Sequence, residues 1–490
     1  MNNFTITGTG LKLSVLATVL TTSASFGVKA ATSSASINAP QSQPNIVYVN
    51  IDNLGFGDLS SYDGGLTRGA MTPNIDQIGE NGVKLWNFAP ESQCTPSRSA
   101  LMTGRYSIRS GNHTVALAGS DGGLVQWEKT MGELLSDAGY ATSIQGKWHI
   151  GASEGRYPTD HGFDEWYGPK HSYEEAFWAD DPWYDPERDP VSYMYESVKG
   201  QKEPTRLNQL TVDVKVDLDL EFLERSQRFM TQAVEDEKPF FLYFNHTLMH
   251  MPVIPRDEFK GKSGRGDNAD ALLQLDHDVE KLVQMVEDLG QTDKTIIIFA
   301  GENGPEYMEP WRGDAGRFTG SYFSGSEGNL RTPFLMQYPG VVPAGLESNE
   351  IVHIVDIFPT LLKWAGAEVP TDRIIDGIDQ REFFEGRSEK SFREGFPYWM
   401  GETIYGVKWQ NFKVAFVKQM NMHEAPQRLA TPHVINLDVD PKEEKAYNYP
   451  HIHSWVMAHV AKILTDFQKS AQEEPFIPLG APVDYVPTRE

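Results

Sequence analysis

Apolar residues gather along this chain in short unbroken runs, each separated from the next by stretches of helical period. Asn45-Ile-Val-Tyr-Val-Asn-Ile51 is the first run, and Tyr140–Ile144, Pro239–Phe244, Lys294–Ala300 and Phe334–Tyr338 repeat the pattern. Runs rich in β-branched and aromatic residues, with little polar alternation, predict strands buried on both faces. Helical patterns fall between them. Thr72-Pro73-Asn74-Ile75-Asp76 opens one with an N-terminal signal, and Met131–Ala138, Phe222–Glu235, Asp267–Leu289 and the stretch from Val355 read as others. Strands alternating with helices predict an α/β fold with a large, mostly parallel sheet between helices.

Two regions depart from that pattern. From about residue 385, Trp409–Val417 and Val434–Leu437 read as alternating strands, Asp438–Glu443 as a turn and His453–Ser470 as a helix. Together they predict a small antiparallel sheet plus helix, with the Pro-rich residues 474–490 as an extended arm. Residues 153–210 have little periodicity but many aromatics, among them Tyr157, Trp166, Tyr173 and Trp178. Aromatic faces stack on sugar rings or aryl groups, so a substrate rim is one reading. A loop packed by its own aromatics is the other.

The N-terminus reads as a secretory leader. Lys12 is the positive end, Leu13–Val28 the apolar stretch and Val28-Lys29-Ala30 the small-x-small cleavage site, so residues 1–30 are expected to be removed. Residues 31–43 then form a Ser-, Ala- and Pro-rich disordered linker, 44–385 the catalytic domain and 386–490 a C-terminal subdomain with an extended tail. No later segment predicts a membrane span. The chain holds one Cys, hence no internal disulfide, which suits a bacterial periplasmic or secreted protein. A formal net charge of −25 argues against nucleic acid as a partner. An anionic substrate would need a local pocket of positive charge.

Candidate chemistry sits where the predicted strands end. Asp52-Asn53 follows the first run, at the strand end where open α/β sheets place their ligands, although an Asx turn would use the same residues. Gly146-Lys147-Trp148-His149 follows the second, and Lys147 and His149, two apart on a strand end, would point the same way. His246 and His250 follow the third, and Gly301-Glu302-Asn303-Gly304 the fourth. The single cysteine opens Cys94-Thr95-Pro96-Ser97-Arg98. Pro96 suits a first helical turn, so Cys94 would sit at a helix N-terminus, where free N–H groups favour an anion. A lone Cys is often a small buried hydrophobe, but polar Ser and Arg follow this one at once.

These motifs resemble the type I sulfatases of the alkaline-phosphatase-like α/β fold. The resemblance is carried by C-x-P-S-R with its later T-G-R, by G-K-W-H-x-G, by H-x-P at His250, by Glu302-Asn303-Gly304 and by Glu327-Gly328-Asn329 ahead of Arg331 and Pro333. It implies hydrolysis of an aryl or sugar sulfate to alcohol and sulfate, with Cys94 converted by a maturation enzyme to formylglycine, whose hydrated aldehyde is the nucleophile. It implies Ca²⁺, or Mg²⁺, beside residue 94 and held by Asp52, Asn53, Glu302 and Asn303, all hard oxygen donors. Arg98 and Lys147 would offset charge on the sulfuryl oxygens, His250 would protonate the leaving oxygen and His149 would take a proton from the second hydroxyl. Lys147, His250 and Tyr322 would face the substrate. The chain departs from the family at Asn53 and Glu302, where Asp is commoner, and at Tyr322, where a second sulfate-binding Lys is usual. Arg109, Lys170 and His171 are candidates to replace that charge. Two other readings remain open at this point: a phosphodiesterase or phosphonate hydrolase of the same superfamily, and a non-catalytic binder of sulfated glycans.

Overall fold

The computed structural model describes residues 43–120, 122–445 and 451–488, so the expected leader and nearly all of the expected linker lie outside it. Its main sheet is built from β1 (Asn45–Ile51), β2 (Val83–Ala89), β3 (Ala141–Gln145), β4 (Glu165–Pro169), β5 (Tyr193–Val198), β6 (Thr205–Gln209), β7 (Phe240–His246), β8 (Thr295–Gly301), β9 (Thr332–Gln337), β10 (Leu346–Ser348) and β11 (Val352–His353). They lie in the order β10-β2-β9-β8-β1-β7-β3-β4-β5-β6, with β11 also beside β2. The central five, β8-β1-β7-β3-β4, are parallel, while β9 and β5 run against their neighbours. The sheet is therefore mixed but mostly parallel.

Strand β1 shows why the sequence pattern worked. All seven of its side chains are buried, Ile46 and Tyr48 toward one core and Val47, Val49 and Ile51 toward the other. Each fully buried side chain of this size contributes about 1.5–3 kcal/mol, so the strand has no stable place except the middle of a covered sheet. Helix α1 (Pro73–Glu80) and the helices Val212–Glu235 and Asp267–Asp288 close one face. Helix α2 (Cys94–Thr103) and the helices Met131–Asp137 and Ile354–Trp364 close the other.

The structure corrects two local expectations and adds contacts for the C-terminal arm. The aromatic stretch 153–210 is not a plain loop: β4, β5 and β6 extend the main sheet, and Trp166, Tyr167 and Tyr173 are buried in its cores. Period-two burial was hidden there by aromatics on both faces of β4. Trp409–Val417 is not one strand but a hairpin turning at Gln410-Asn411, between β13 (Thr403–Trp409) and β14 (Phe412–Lys418). These pair with β12 (Gly395–Met400) and β15 (Gln427–Asn436) in a four-stranded antiparallel sheet, against which the helix Met457–Glu473 packs Val460. The segment after it is pinned rather than free. Ile477 is buried and its N–H donates to the Arg109 carbonyl, while the Gln126 N–H donates to that of Val483. Among the described residues, no helix is long and apolar enough to cross a membrane.

Candidate active site

Strand register brings the motif residues to one place. Ile51 of β1 lies opposite His246 on β7 and Gly301 on β8, so Asp52 and Glu302 leave adjacent strands at the same level. Asn53 takes a positive φ of 63°, a turn that Asn tolerates better than most residues. The loop after β3 enters through Gly146 at φ 107°, where a Cβ would meet the Asn245 carbonyl oxygen at 2.4 Å. Lys147 and His149 therefore do not share a strand face as the sequence suggested. They lie beyond β3, with His149 itself at φ 63°.

Four buried charges form the centre. Lys147 Nζ donates to Asp52 Oδ2 at 2.6 Å, and Arg98 meets Glu302 Oε1 at 2.9 Å and Asp52 Oδ2 at 3.7 Å. Arg98 also donates to the Asn245 amide oxygen at 2.8 Å. Burial would raise Asp52, yet Lys147, His250 and Arg98 hold its carboxyl well below the usual range. Burial, helped by Asp52, pushes the Glu302 carboxyl up to about 8, with Arg98 and Lys147 only partly opposing it. Formally, two cations and two anions sum to zero. Asp52 Oδ1 and Asn303 Oδ1 are nonetheless buried without a hydrogen-bond partner, and ligand atoms of Asp52, Cys94 and Glu302 lie within 4.8 Å of one another. Orphaned hard oxygens beside two carboxylates fit a divalent cation. Cys94 is the first residue of α2 and is buried, and burial raises its thiol to about 12 despite Lys147.

Two histidines flank this centre. His149 Nε2 lies 2.8 Å from the Ala116 carbonyl, which only accepts, so Nε2 holds the proton and Nδ1 the lone pair. That Nδ1 is buried without a partner, and burial, then Lys147 and Arg98, keep the ring far below ordinary histidine basicity. Thr95 donates to the His149 carbonyl at 3.0 Å, tying this loop to α2. His250 Nδ1 donates to the Met251 carbonyl at 2.8 Å, which leaves Nε2 toward Ser172 Oγ at 3.2 Å and Glu174 Oε2 at 3.5 Å. Buried Lys215 fixes the loop by donating to the carbonyls of Thr247 at 3.2 Å and Pro252 at 2.9 Å. His246 belongs to a separate buried cluster with Asp219 and Asp278. Arg256 forks onto Asp278 at 2.6 and 2.9 Å, and Asp219 accepts from the Thr247 N–H at 2.9 Å and hydroxyl at 2.6 Å, so the cluster serves as an anchor.

Tyr322 reaches the centre. Its hydroxyl accepts from Gln93 Nε2 at 3.3 Å, one residue from Cys94. The candidate replacement cations do not all follow. Arg109 is buried with Asp376 at 2.8 Å and stacked on Phe467. Lys170 donates to the Ala152 carbonyl at 3.1 Å and lies over the rings of Tyr157 and Tyr195. The Lys170 carbonyl accepts from the His149 N–H at 3.0 Å, and the His171 side chain lies beside that histidine, its ring 6.5 Å away. Sequence reasoning missed Ser172, Glu174, Asn50 and Asn245. The last two carried a signal, since each is a polar residue inside an otherwise apolar strand. Asn50 donates to Asn245 Oδ1 at 3.1 Å and to Glu302 Oε2.

Comparison with known proteins matches this arrangement to a family. Residues 44–367 match the family described as Sulfatase, and 321–470 match N-sulphoglucosamine sulphohydrolase, C-terminal. The chain belongs to the sulfatase family, and it is a sulfuric ester hydrolase. N-acetylgalactosamine-6-sulfatase from Homo sapiens is 30% identical over 444 residues, 83% of this chain and 81% of that protein. Arylsulfatase A from Bos taurus is 33% identical over 400 residues, 79% of this chain and 77% of its own. Among solved structures, the PsFucS1 sulfatase from Pseudoalteromonas sp. superposes with a TM-score of 0.82 at 28% identity, covering 89% of this chain and 92% of that one. These relationships decide for sulfate ester hydrolysis over the phosphodiesterase and binder readings.

Proposed function

We propose that this sulfatase acts on a sulfated sugar or aryl sulfate through formylglycine made from Cys94, with Ca²⁺, or Mg²⁺, held by Asp52, Asn53, Glu302 and Asn303. The observation that carries the reading is the neutral buried quartet Asp52, Glu302, Lys147 and Arg98 around Cys94, with two orphaned oxygens. A divalent cation there would make the pocket net positive on a chain of charge −25, as a sulfate monoanion requires, and would polarise the sulfuryl oxygens. Formylglycine would supply the nucleophile, and Cys94 Sγ stands where its oxygens would be. Lys147 and Arg98 set the charge of the centre. His149 offers a free lone pair at Nδ1 for a proton, and His250 Nε2 faces outward as the acid for the leaving oxygen. We extend the proposal to residues 44–385 as the catalytic domain, 386–490 as its subdomain, and export to a bacterial periplasm or medium after loss of residues 1–30. Metal analysis together with peptide mass spectrometry at residue 94 tests it: an active preparation lacking either the metal or the aldehyde overturns it.

Two predictions concern the acid. His250→Ala is expected to lower kcat on an unactivated sugar sulfate at least tenfold more than on 4-nitrophenyl sulfate, whose leaving group needs little protonation. Equal losses would remove the acid role. The second is a pH effect. Burial lowers His250, while Asp52 and Glu174 pull it back up. The acid must be protonated, so the rate on unactivated esters falls as pH rises through this pKa. Glu174→Gln removes one supporting charge, so the falling limb of kcat/KM is expected to move to lower pH. A limb that stays in place, or moves up, contradicts the assignment.

A further inference from the structure

The carboxyl of Glu306 is unexplained by the chemistry above. It is 9% exposed, and among the described residues its side chain makes no hydrogen bond or ion pair. It faces the centre closely enough to feel Asp52, Glu174 and Lys147. It also lines a cavity of about 200 Å³ with Tyr307, Met308, Ser321, Tyr322, Asn421 and His423. Glu306 and Tyr322 are thus shared between the reacting centre and the cavity. The Glu306 carboxyl therefore opens onto the cavity and is available to a ligand there. The lining holds no Lys or Arg, and Arg312 stacks on the Tyr307 ring 4.3 Å away. At 200 Å³ the cavity is smaller than the roughly 300 Å³ at which pockets for drug-sized ligands begin, so it takes one ring and not a chain of them.

We propose that Glu306 and the Tyr322 hydroxyl are the specificity-determining pair of a single-ring subsite, which binds uncharged hydroxyls of the sulfated sugar and rejects a second anionic group. The subsite rests on the sulfatase reading above. The Glu306 carboxyl and the Tyr322 hydroxyl line the same cavity, so vicinal hydroxyls of a ring meet an oxygen acceptor and a hydroxyl that both donates and accepts. A second sulfate or a uronate brought against Glu174, Glu306 and a phenol would meet no Lys or Arg in the cavity lining. The family's usual lysine at position 322 would offer one; tyrosine here makes the subsite neutral-preferring.

The test compares wild type, Glu306→Gln, Glu306→Lys and Tyr322→Phe on 4-nitrophenyl sulfate, a positional panel of monosulfated hexoses and their disulfated counterparts. Melting temperature is followed for each variant. Wild type is expected to prefer the best monosulfated hexose over its disulfated form at least tenfold in kcat/KM. Glu306→Gln and Tyr322→Phe are each expected to lose at least tenfold more on that hexose than on the aryl sulfate, and Glu306→Lys to narrow or reverse the mono-to-disulfated preference. Equal losses on sugar and aryl substrates by both conservative variants, or a wild type indifferent to the second sulfate, overturns the subsite while leaving the sulfatase chemistry intact. A wild type, matured and metal-loaded, that turns over none of the probes overturns both.

Discussion

Protein in which every Cys94 is an unmodified thiol is expected to lose at least a thousandfold in kcat, about 4 kcal/mol of transition-state stabilisation. The reason lies in the pocket. Cys94 is buried, and its thiol is raised to about 12, with Asp52 and Glu302 adding to burial and Lys147 and Arg98 only partly opposing them. At pH 7 such a thiol is ionised in about one molecule in 10⁵, since each pKa unit is a factor of ten. A Cys nucleophile works as its thiolate, so this environment is a poor one for cysteine chemistry. A divalent cation held there would favour the oxygens of a hydrated aldehyde, which are hard donors, over a soft sulfur. Protein made with and without the maturation system would be compared on 4-nitrophenyl sulfate, with the residue-94 peptide read by mass spectrometry. Full activity from the all-thiol preparation would refute the formylglycine assignment.

The fold and the site were legible to different depths, for physical reasons. Strands β1, β7 and β8 were readable because a strand covered on both faces needs no polar alternation, and little else in a soluble chain looks like that. Strand β2 was not read from the sequence although Val83-Lys84-Leu85-Trp86 alternates as a half-buried strand does, with Lys84 on its outer side paired to Glu347. The motif residues were found as sequence neighbours of strand ends, yet Lys147 and His149 were aimed wrongly, because Gly146 and the positive φ of His149 turn the chain where a strand rule assumes it runs on. Ser172 and Glu174 could not be found: they sit in the aromatic stretch, and only folding of β4 beside β3 carries them to His250. Tyr322 was placed by resemblance alone. What fills the missing charge was not readable, because Arg109 is spent on Asp376 across more than 250 residues of chain.

Asp52→Ala is expected to abolish stoichiometric metal binding and to lower kcat/KM at least 10⁴-fold, about 5.5 kcal/mol. Three functions of one carboxylate fail together. It is the proposed metal donor beside Glu302 and residue 94, the partner of Lys147 at 2.6 Å, and one of the charges that keep His250 basic. Breaking a buried ion pair from one side leaves the other charge uncompensated and costs about 3–5 kcal/mol, so metal-free Asp52→Ala is also expected to be less stable by about that amount. Asp52→Asn separates the effects. Its amide oxygen still accepts from Lys147, so stability is expected to fall less, while metal content falls as far. The pH dependence carries a sign. Lys147, His250 and Arg98 hold Asp52 below its unfolded value, so its stabilising contribution is fully present above about pH 4 and fades as pH falls further. The stability gap between metal-free wild type and Asp52→Asn is therefore expected to shrink as pH falls below about 4. Metal analysis gives the decisive reading: one ion per chain, bound to Asp52→Ala as tightly as to wild type, would mean that the cation does not use this carboxylate.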